Sequence, residues 1–194
     1  MFYKIAKVLC TIYMRTVYRI KITGSENIPK DGGVILCCNH RFFRDPIYIG
    51  IAIKRHITFL AKEELFNVPV LKPILNLAKV ISLDRGGGDL SAIRACVSAL
   101  KDKKLLLVFP QGKRERGGVT LGARPGVALM AKQSGSVMVP VGLTVNGKIP
   151  FFTKVYIRFG LPVKYEDLAG NMGAHTEYAR VSSILMDRIN ELRL

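Results

Sequence analysis

The feature that most constrains the fold is a regular alternation of short apolar runs with longer helical patterns. Apolar runs of this length are typical of buried strands, and the segments between them repeat apolar residues at helical spacing. Strands that alternate with helices favour an α/β domain with a central, largely parallel sheet flanked by helices. We predict strands at residues 18–23, 34–38, 57–61, 80–83, 105–109, 137–144 and 154–159, and helices at 45–54, 71–78, 89–101, 124–133 and 173–193.

Composition narrows the possible classes of function. A chain of 194 residues accommodates one ordinary domain, and 49% hydrophobic residues exclude intrinsic disorder. Thirty Lys and Arg against 14 Asp and Glu give a net charge of +16, which attracts nucleic acid, anionic lipid or acidic carrier proteins. The cysteines lack metal-ligand spacing, so we expect no metal site and predict reduced, buried thiols. They are Cys10, Cys37, Cys38 and Cys96.

The first 21 residues have the pattern of a basic amphipathic helix. Apolar and aromatic side chains recur at helical spacing and alternate with Lys4, Lys7, Arg15 and Arg19. Such a helix either lies in the interface of an anionic membrane or packs on the core of its own domain. No apolar stretch approaches the ~20 residues that cross a bilayer, so we expect no transmembrane span. Arginines stand where a secretory signal would have its cleavage site, so we expect no such signal.

His40 and Asp45 are candidates for a general-base dyad. The histidine follows the predicted strand 34–38, and Asp45-Pro46 has the pattern of a helix N-cap followed by proline at the first helical position. Side chains five positions apart on one helix point in different directions, so these two meet only across such a bend. A carboxylate can then fix the tautomer of an imidazole that accepts a proton near neutral pH. The alternative is that Asp45 is only a cap and His40 only a loop residue.

Two further predicted strand ends carry cations. Arg85, after the strand at 80–83, is placed to bind an anion, although an ion pair with a neighbouring aspartate explains it equally well. After the strand at 105–109, proline and glycine predict a tight turn whose backbone N–H groups and cations can cradle a phosphate. A solvated charged loop is the alternative for this segment. Its residues are Pro110, Gln111, Gly112, Lys113 and Arg114.

The three strand ends together indicate one kind of chemistry. A base dyad beside two cationic segments describes a site that deprotonates a hydroxyl on a phosphate-bearing molecule. The motif around His40 contains no serine, and Cys38 belongs to an apolar run. The pattern therefore favours direct activation of the substrate hydroxyl over a covalent intermediate.

These motifs resemble those of the glycerolipid acyltransferase family, specifically the bacterial 1-acylglycerol-3-phosphate acyltransferases. The resemblance covers nearly the whole chain, with four motifs in the family's order. Asn39-His40-(four residues)-Asp45 is similar to the first motif, residues 80–85 to the second and residues 139–141 to the fourth. Phe109-Pro110-Gln111-Gly112-Lys113-Arg114 is similar to the third, commonly Phe-Pro-Glu-Gly-Thr-Arg. Residues 62–66 and 68–69 also resemble the segment between the first two motifs.

The resemblance implies a glycerol-3-phosphate acyltransferase-like fold, with a membrane-docking helix over residues 1–20 and an acyltransferase domain over 21–194. It implies acyl transfer to lysophosphatidic acid, with His40 as the catalytic base and Asp45 as the residue that orients it. Arg85, Gln111, Gly112, Lys113 and Arg114 are the expected substrate-binding residues. No cofactor is expected, because an acyl carrier protein or coenzyme A thioester brings the acyl group as co-substrate. The expected localisation is the cytoplasmic face of a bacterial-type cell membrane, to which the protein would bind as a peripheral or monotopic protein.

Two departures and two alternatives accompany this interpretation. Gln111 stands where glutamate is common, which removes a carboxylate, and Lys113 stands where threonine is common, which adds a positive charge. One alternative keeps the chemistry with another acceptor, namely glycerol-3-phosphate, another lysophospholipid or a lyso-aminolipid. The other is a non-catalytic basic module for lipid or nucleic acid. We expect no nucleic-acid partner, since aromatic residues do not interleave with the basic ones as stacking platforms would require.

Overall fold

A sheet forms the centre of the computed structural model, which describes residues 2–69, 71–77, 80–83, 89–115, 121–147, 153–170 and 174–193. Within these residues, six strands pair in the order β1-β8-β7-β2-β6-β3, and β4 and β5 form a separate pair. Only the β7–β8 pair among them is antiparallel, so the prediction of a largely parallel sheet is confirmed. The strands are β1 (Arg19–Thr23), β2 (Val34–Cys38), β3 (Ile57–Thr58), β4 (Leu60–Lys62), β5 (Ile81–Leu83), β6 (Leu105–Val108), β7 (Val137–Asn146) and β8 (Lys154–Phe159).

Helices cover both faces of this sheet. On one face α4, α5 and α7 share a core with the strands, and on the other face α1 and α2 do so. The helices are α1 (Phe2–Val17), α2 (Asp45–Ala52), α3 (Leu71–Leu77), α4 (Asp89–Lys101), α5 (Gly126–Ser134), α6 (Tyr165–Leu168) and α7 (Ala174–Glu191), with short 3-10 helices at Ser25–Asn27 and Glu63–Asn67. The layered α/β architecture predicted from the alternation is therefore present.

One predicted strand is divided in the structure, and one observed helix is absent from the prediction. The strand predicted at 57–61 divides at Phe59, whose carbonyl accepts the N–H of Ile81 at 2.9 Å. The chain leaves β6 at that point to pair with β5, so one apolar run serves two sheets. The short helix α6 was not predicted; the Asp167 carboxylate accepts the N–H of Lys164 at 2.9 Å and closes its first turn.

The central strand β2 explains why apolar runs dominate the sequence. All five of its residues are buried, and they alternate between the two cores. Ile35 and Cys37 face α4, α5 and α7, whereas Val34, Leu36 and Cys38 belong to the core beneath α1 and α2. A strand covered on both faces needs apolar residues at every position rather than at every second one.

The N-terminal helix α1 packs on the domain with one face and leaves the other exposed. Its last turn enters the core through Met14 and Val17, followed by Tyr18. The helix ends at Val17 and β1 begins at Arg19, which separates the helix and strand predictions that overlapped at 18–21. Large apolar side chains on the other face are half or more exposed, namely Ile5, Val8, Leu9, Ile12 and Tyr13. None of the helices in the described ranges is long and apolar enough to span a bilayer.

Candidate active site

Asn39 determines where the chain leaves the sheet. It follows β2 directly and is fully buried. Its side-chain amide donates to the carbonyl of Leu143 at 2.9 Å, and its side-chain oxygen accepts the N–H of Leu143 at 2.8 Å. Through these two hydrogen bonds, the Asn39 side chain extends the pairing between β2 and β7. They also fix the position of His40, the next residue. Asn39 belongs to the motif singled out in the sequence, but no role was predicted for it.

His40 and Asp45 meet as the sequence predicts, at the carboxyl end of β2 and the start of α2. Nδ1 of His40 lies 2.9 Å from Oδ2 of Asp45. The same carboxylate oxygen accepts the N–H groups of Arg41 at 2.7 Å and Phe42 at 2.8 Å. Since Asp45 is fully buried and the His40 side chain is 18% exposed, the aspartate supports a ring that substrate can reach. With Nδ1 directed at a carboxylate, a neutral imidazole keeps Nε2 as its basic nitrogen.

Asp45 does not cap its helix in the predicted way. Arg44 occupies the N-cap position without a side-chain cap, and Asp45 is the first helical residue, followed by Pro46. The carboxylate turns back to the loop that precedes the helix, where it binds two N–H groups and the imidazole. The N-cap prediction was therefore wrong by one residue, because the His40 loop offers this carboxylate three donors.

Cys37 and Cys38 are buried thiols beneath this site. Burial raises the pKa of both, and the nearby Asp45 carboxylate raises that of Cys38 further. The thiol of Cys38 donates to the carbonyl of Asn39 at 3.3 Å. Cys96 is also buried, and burial raises its pKa to about 11. The prediction of a buried thiol was wrong for Cys10, which is exposed on α1. A buried thiol with a raised pKa has little nucleophilic character, which is consistent with the expectation that no covalent intermediate forms at Cys38.

The segment after β6 holds His40 from a second side. Phe109 stacks on the imidazole with ring centroids 4.0 Å apart and an interplanar angle of 18°. The N–H of His40 donates to Oε1 of Gln111 at 2.8 Å, and its carbonyl accepts the N–H of Glu115 at 2.7 Å. The two predicted motifs therefore form one site.

Gln111 lies behind the histidine, which differs from the predicted substrate contact. It is 2% exposed, and both polar atoms of its amide are bonded within the protein. Besides the bond to His40, its Nε2 donates to Oε1 of Glu115 at 2.5 Å. An amide oriented in this way has no atom directed at a substrate, so its contribution is to position the His40 loop.

Gly112 closes the predicted tight turn. Its N–H donates to the carbonyl of Phe109 at 2.9 Å, and its φ of 68° lies in the left-handed region that favours glycine. The guanidinium stem of Arg124 covers it, since a Cβ at this position would lie 2.9 Å from Cδ of that arginine. The N–H of Gly112 serves the turn, so any oxyanion binding by backbone amides would use its neighbours.

The turn after β6 carries two predicted cations and lies beside a third that was not predicted. Lys113 and Arg114 are exposed, and neither forms an ion pair with an acidic residue of the described ranges. Arg124, also exposed, joins them from the start of α5 and was missed, because nothing in the local sequence links it to the turn. Arg85 lies outside the described residues. No cluster of metal-binding side chains occurs among the residues that the structure describes.

Glu115 and Arg193 complete the site and were also missed. The carboxylate of Glu115 accepts from Nη1 of Arg193 at 3.1 Å and from Nη2 at 3.0 Å. Glu115 appeared in the sequence only as one member of a charged run. Arg193 has no local signal, because it comes from beyond α7, 78 residues along the chain.

Exposed aromatic side chains lie within the loop between His40 and Asp45. Phe42 and Phe43 lie between the two dyad residues, and Phe43 is 66% exposed. A site with cations in the turn after β6 and exposed aromatic side chains in the loop between His40 and Asp45 suits an amphipathic ligand.

Comparison with known proteins finds one family model and several proteins that this chain resembles. A family model described as Acyltransferase matches residues 19–144. The 1-acyl-sn-glycerol-3-phosphate acyltransferase of Borreliella burgdorferi is 34% identical over 148 residues, 75% of this chain and 58% of that protein. A Bacillus subtilis protein of the same name is 28% identical over 177 residues, 89% of this chain and 87% of its own. A chloroplastic one from Arabidopsis thaliana is 28% identical over 148 residues, 75% of this chain and 41% of its own. The chain thus spans about two fifths of the Arabidopsis relative and under three fifths of the Borreliella one.

A solved structure supports the fold. The crystal structure of the 1-acyl-sn-glycerophosphate (LPA) acyltransferase PlsC from Thermotoga maritima superposes with a TM-score of 0.74 and 22% identity. The match covers 98% of this chain and 80% of that one. The two proteins therefore share the layered α/β architecture described above.

Proposed function

Because the chain belongs to the Acyltransferase family, we propose that it transfers a fatty acyl chain from an acyl thioester to the free hydroxyl of lysophosphatidic acid. The product is phosphatidic acid, a precursor in phospholipid biosynthesis. The observation that carries this proposal is the His40–Asp45 pair, with Nδ1 and Oδ2 2.9 Å apart. The names of the relatives support the choice of acceptor.

In the proposed mechanism, His40 acts as a general base. Nε2 takes the proton of the acceptor hydroxyl while that oxygen attacks the thioester carbonyl, and Asp45 stabilises the imidazolium that forms. Collapse of the tetrahedral intermediate breaks the carbon–sulfur bond and releases the thiol, which takes up the proton. General-base catalysis of this kind contributes about 10²–10⁴ in rate. Backbone amides next to Gly112 are candidates for binding the oxyanion.

The acceptor phosphate is assigned to the cations around the turn after β6. Lys113 and Arg114 are exposed there, and the side chain of Arg124 lies against Gly112. Arg85 remains a predicted member of this phosphate site. Guanidinium groups suit a phosphate because their N–H groups bind it bidentately.

Membrane attachment is proposed through the exposed face of α1. Lysophosphatidic acid and its product reside in a bilayer, and this face presents aliphatic and aromatic side chains beside basic residues. We assign the protein to the cytoplasmic face of a bacterial-type cell membrane, as a peripheral or monotopic enzyme. The acyl donor is an acyl carrier protein or coenzyme A, since a chain of net charge +16 attracts either polyanion.

A panel of acceptors tests the proposed function. The purified protein is incubated with an acyl carrier protein or coenzyme A thioester and with lysophosphatidic acid, glycerol-3-phosphate, another lysophospholipid or a lyso-aminolipid. Mass spectrometry of the lipid extract identifies the product. We expect phosphatidic acid from lysophosphatidic acid; acylation of another acceptor in its place would contradict the assignment. Lipid binding without any acyl transfer would indicate a non-catalytic module.

A further inference from the structure

The main chain of His40 is held at both ends by one short segment. Its N–H donates to the side-chain oxygen of Gln111 at 2.8 Å, and its carbonyl accepts the N–H of Glu115 at 2.7 Å. Gln111 and Glu115 are four residues apart and bind each other, with Nε2 of the amide 2.5 Å from Oε1 of the carboxylate. The orientation of the catalytic imidazole therefore depends on this pair as well as on Asp45.

Arg193 fixes the carboxylate of Glu115. Two guanidinium nitrogens bind the two carboxylate oxygens at 3.1 and 3.0 Å, and Nη1 also donates to Oδ1 of Asn190 at 3.0 Å. Nε of Arg41 is the other cation facing Glu115, at 3.9 Å. The Glu115 side chain is 5% exposed, and burying a carboxylate to this extent is costly without a charged partner that also hydrogen-bonds it.

Donor and acceptor chemistry allows one arrangement of these groups. Arginine only donates and an ionised carboxylate only accepts, so Glu115 takes hydrogen bonds from both Arg193 and the Gln111 amide. The N–H of His40 only donates, so it must meet the oxygen of Gln111. Glutamine fits position 111 because it accepts with one end and donates with the other. A glutamate there would place a second carboxylate against Glu115.

We propose that Gln111, Glu115 and Arg193 form a positioning relay that holds His40 in place for proton transfer. The inference rests on the proposed role of His40 as the base, and none of the three residues is assigned to the substrate. It makes the identities of residues 111 and 115 interdependent: one of the two must carry the charge and the other the amide.

Exchanging the amide and the carboxylate between positions 111 and 115 tests the relay. In Gln111→Glu, the carboxylates at 111 and 115 repel each other, which draws the residue-111 oxygen away from the His40 N–H and moves the ring. We expect kcat for phosphatidic acid formation to fall by about 10- to 100-fold, the effect of a small misplacement of a catalytic group. KM for the acceptor should stay unchanged. In Gln111→Glu/Glu115→Gln, the carboxylate at 111 accepts from both His40 and the new amide, whose oxygen accepts from Arg193, so kcat should largely recover.

A second readout separates the relay from the identity of the acceptor. Hydrogen exchange of the His40 amide, followed by NMR, should accelerate in Gln111→Glu and slow again in the double variant. If the wild type makes no phosphatidic acid while exchange follows this pattern, the proposed acceptor is wrong and the relay stands. Asp102→Asn is the control for the Glu115→Gln half of the double variant, since it also changes a carboxylate to an amide, in an exposed pair with Lys104.

Two outcomes would overturn the relay. One is a Gln111→Glu variant whose kcat and His40 exchange equal those of the wild type. The other is a double variant no better than Gln111→Glu alone, including the case in which Gln111→Glu fails to fold and the exchange of charge does not restore folding. Circular dichroism and thermal unfolding of each variant distinguish these cases.

Discussion

At the scale of single residues, His40 is fixed by one contact from nearby in the chain and by another from a distant part. Asp45 orients its ring from the start of α2, and Phe109 stacks on the same ring from the end of β6. The dyad could be predicted from the sequence because it requires only a bend between a strand and a helix. The inward orientation of Gln111 could not, because it depends on Arg193, 78 residues beyond Glu115.

Replacing Asp45 by asparagine should separate geometry from charge. The asparagine oxygen can accept the hydrogen bonds now made to Oδ2, and its amide nitrogen would take the place of Oδ1, which has no hydrogen-bond partner in the described part of the chain. The loop should therefore keep its shape while the imidazolium loses its counter-charge. We expect kcat to fall by about 10²–10⁴-fold with little change in the free energy of unfolding. Steady-state kinetics measures kcat, and urea titration measures the free energy of unfolding. A kcat equal to that of the wild type would contradict the role of Asp45.

Gly112→Ala tests the turn that carries the cations. Alanine disfavours the left-handed φ of 68° by about 1–2 kcal/mol, and its Cβ would lie 2.9 Å from the Arg124 side chain. We expect a loss of unfolding free energy of that order and a higher KM for lysophosphatidic acid, because Arg124 must move. Gly122→Ala is the matched control, since a Cβ there meets nothing within 4 Å. Equal effects of the two substitutions on KM would contradict this account.

At the scale of elements, α1 carries the face proposed to bind the membrane and also contacts the domain that holds His40. Lys7 donates to the carbonyl of Ile53 just beyond α2, and the hydroxyl of Tyr18 accepts from Arg44 at 2.6 Å, next to Asp45. The sequence left open whether this helix packs on the core or lies on a membrane. The structure gives it a packed face and an exposed apolar face, so the two interpretations are compatible.

The exposed face of α1 should control membrane binding. Deletion of residues 1–20 does not test this face alone, because it also removes Met14, Val17 and Tyr18 from the core. Serine at Val8, Leu9 and Ile12 together should leave the fold intact and weaken co-sedimentation with anionic vesicles by about 10²-fold, through lost apolar burial.

Leu90→Ser/Leu161→Ser is the control for that substitution, since one leucine is exposed on α4 and the other in the loop after β8. Unchanged vesicle binding of the α1 variant would exclude this face as the anchor. An equal loss in the control would indicate a general effect of surface hydrophobicity.

At the scale of the whole molecule, the alternation of apolar runs and helical patterns was enough to predict the layers and the mainly parallel sheet. The direction of β8 follows from the length of the loop before it. The chain between Asn146 and Lys154 is too short for a crossover connection, so β8 returns antiparallel to β7. The division of residues 57–61 between two sheets depends on pairing with β5, which no local pattern encodes. Long-range partners account for the divided strand and for the Glu115–Arg193 pair, neither of which the sequence predicted.

The central claim is that His40 is the base in acyl transfer to lysophosphatidic acid. Its most direct test is the rate of phosphatidic acid formation by purified His40→Ala, compared with the wild type and with His56→Ala, an exposed histidine outside the site. We predict a rate lowered by roughly 10²–10⁴-fold for His40→Ala and a rate near wild type for His56→Ala. Phosphatidic acid formation by His40→Ala at the wild-type rate would contradict the account.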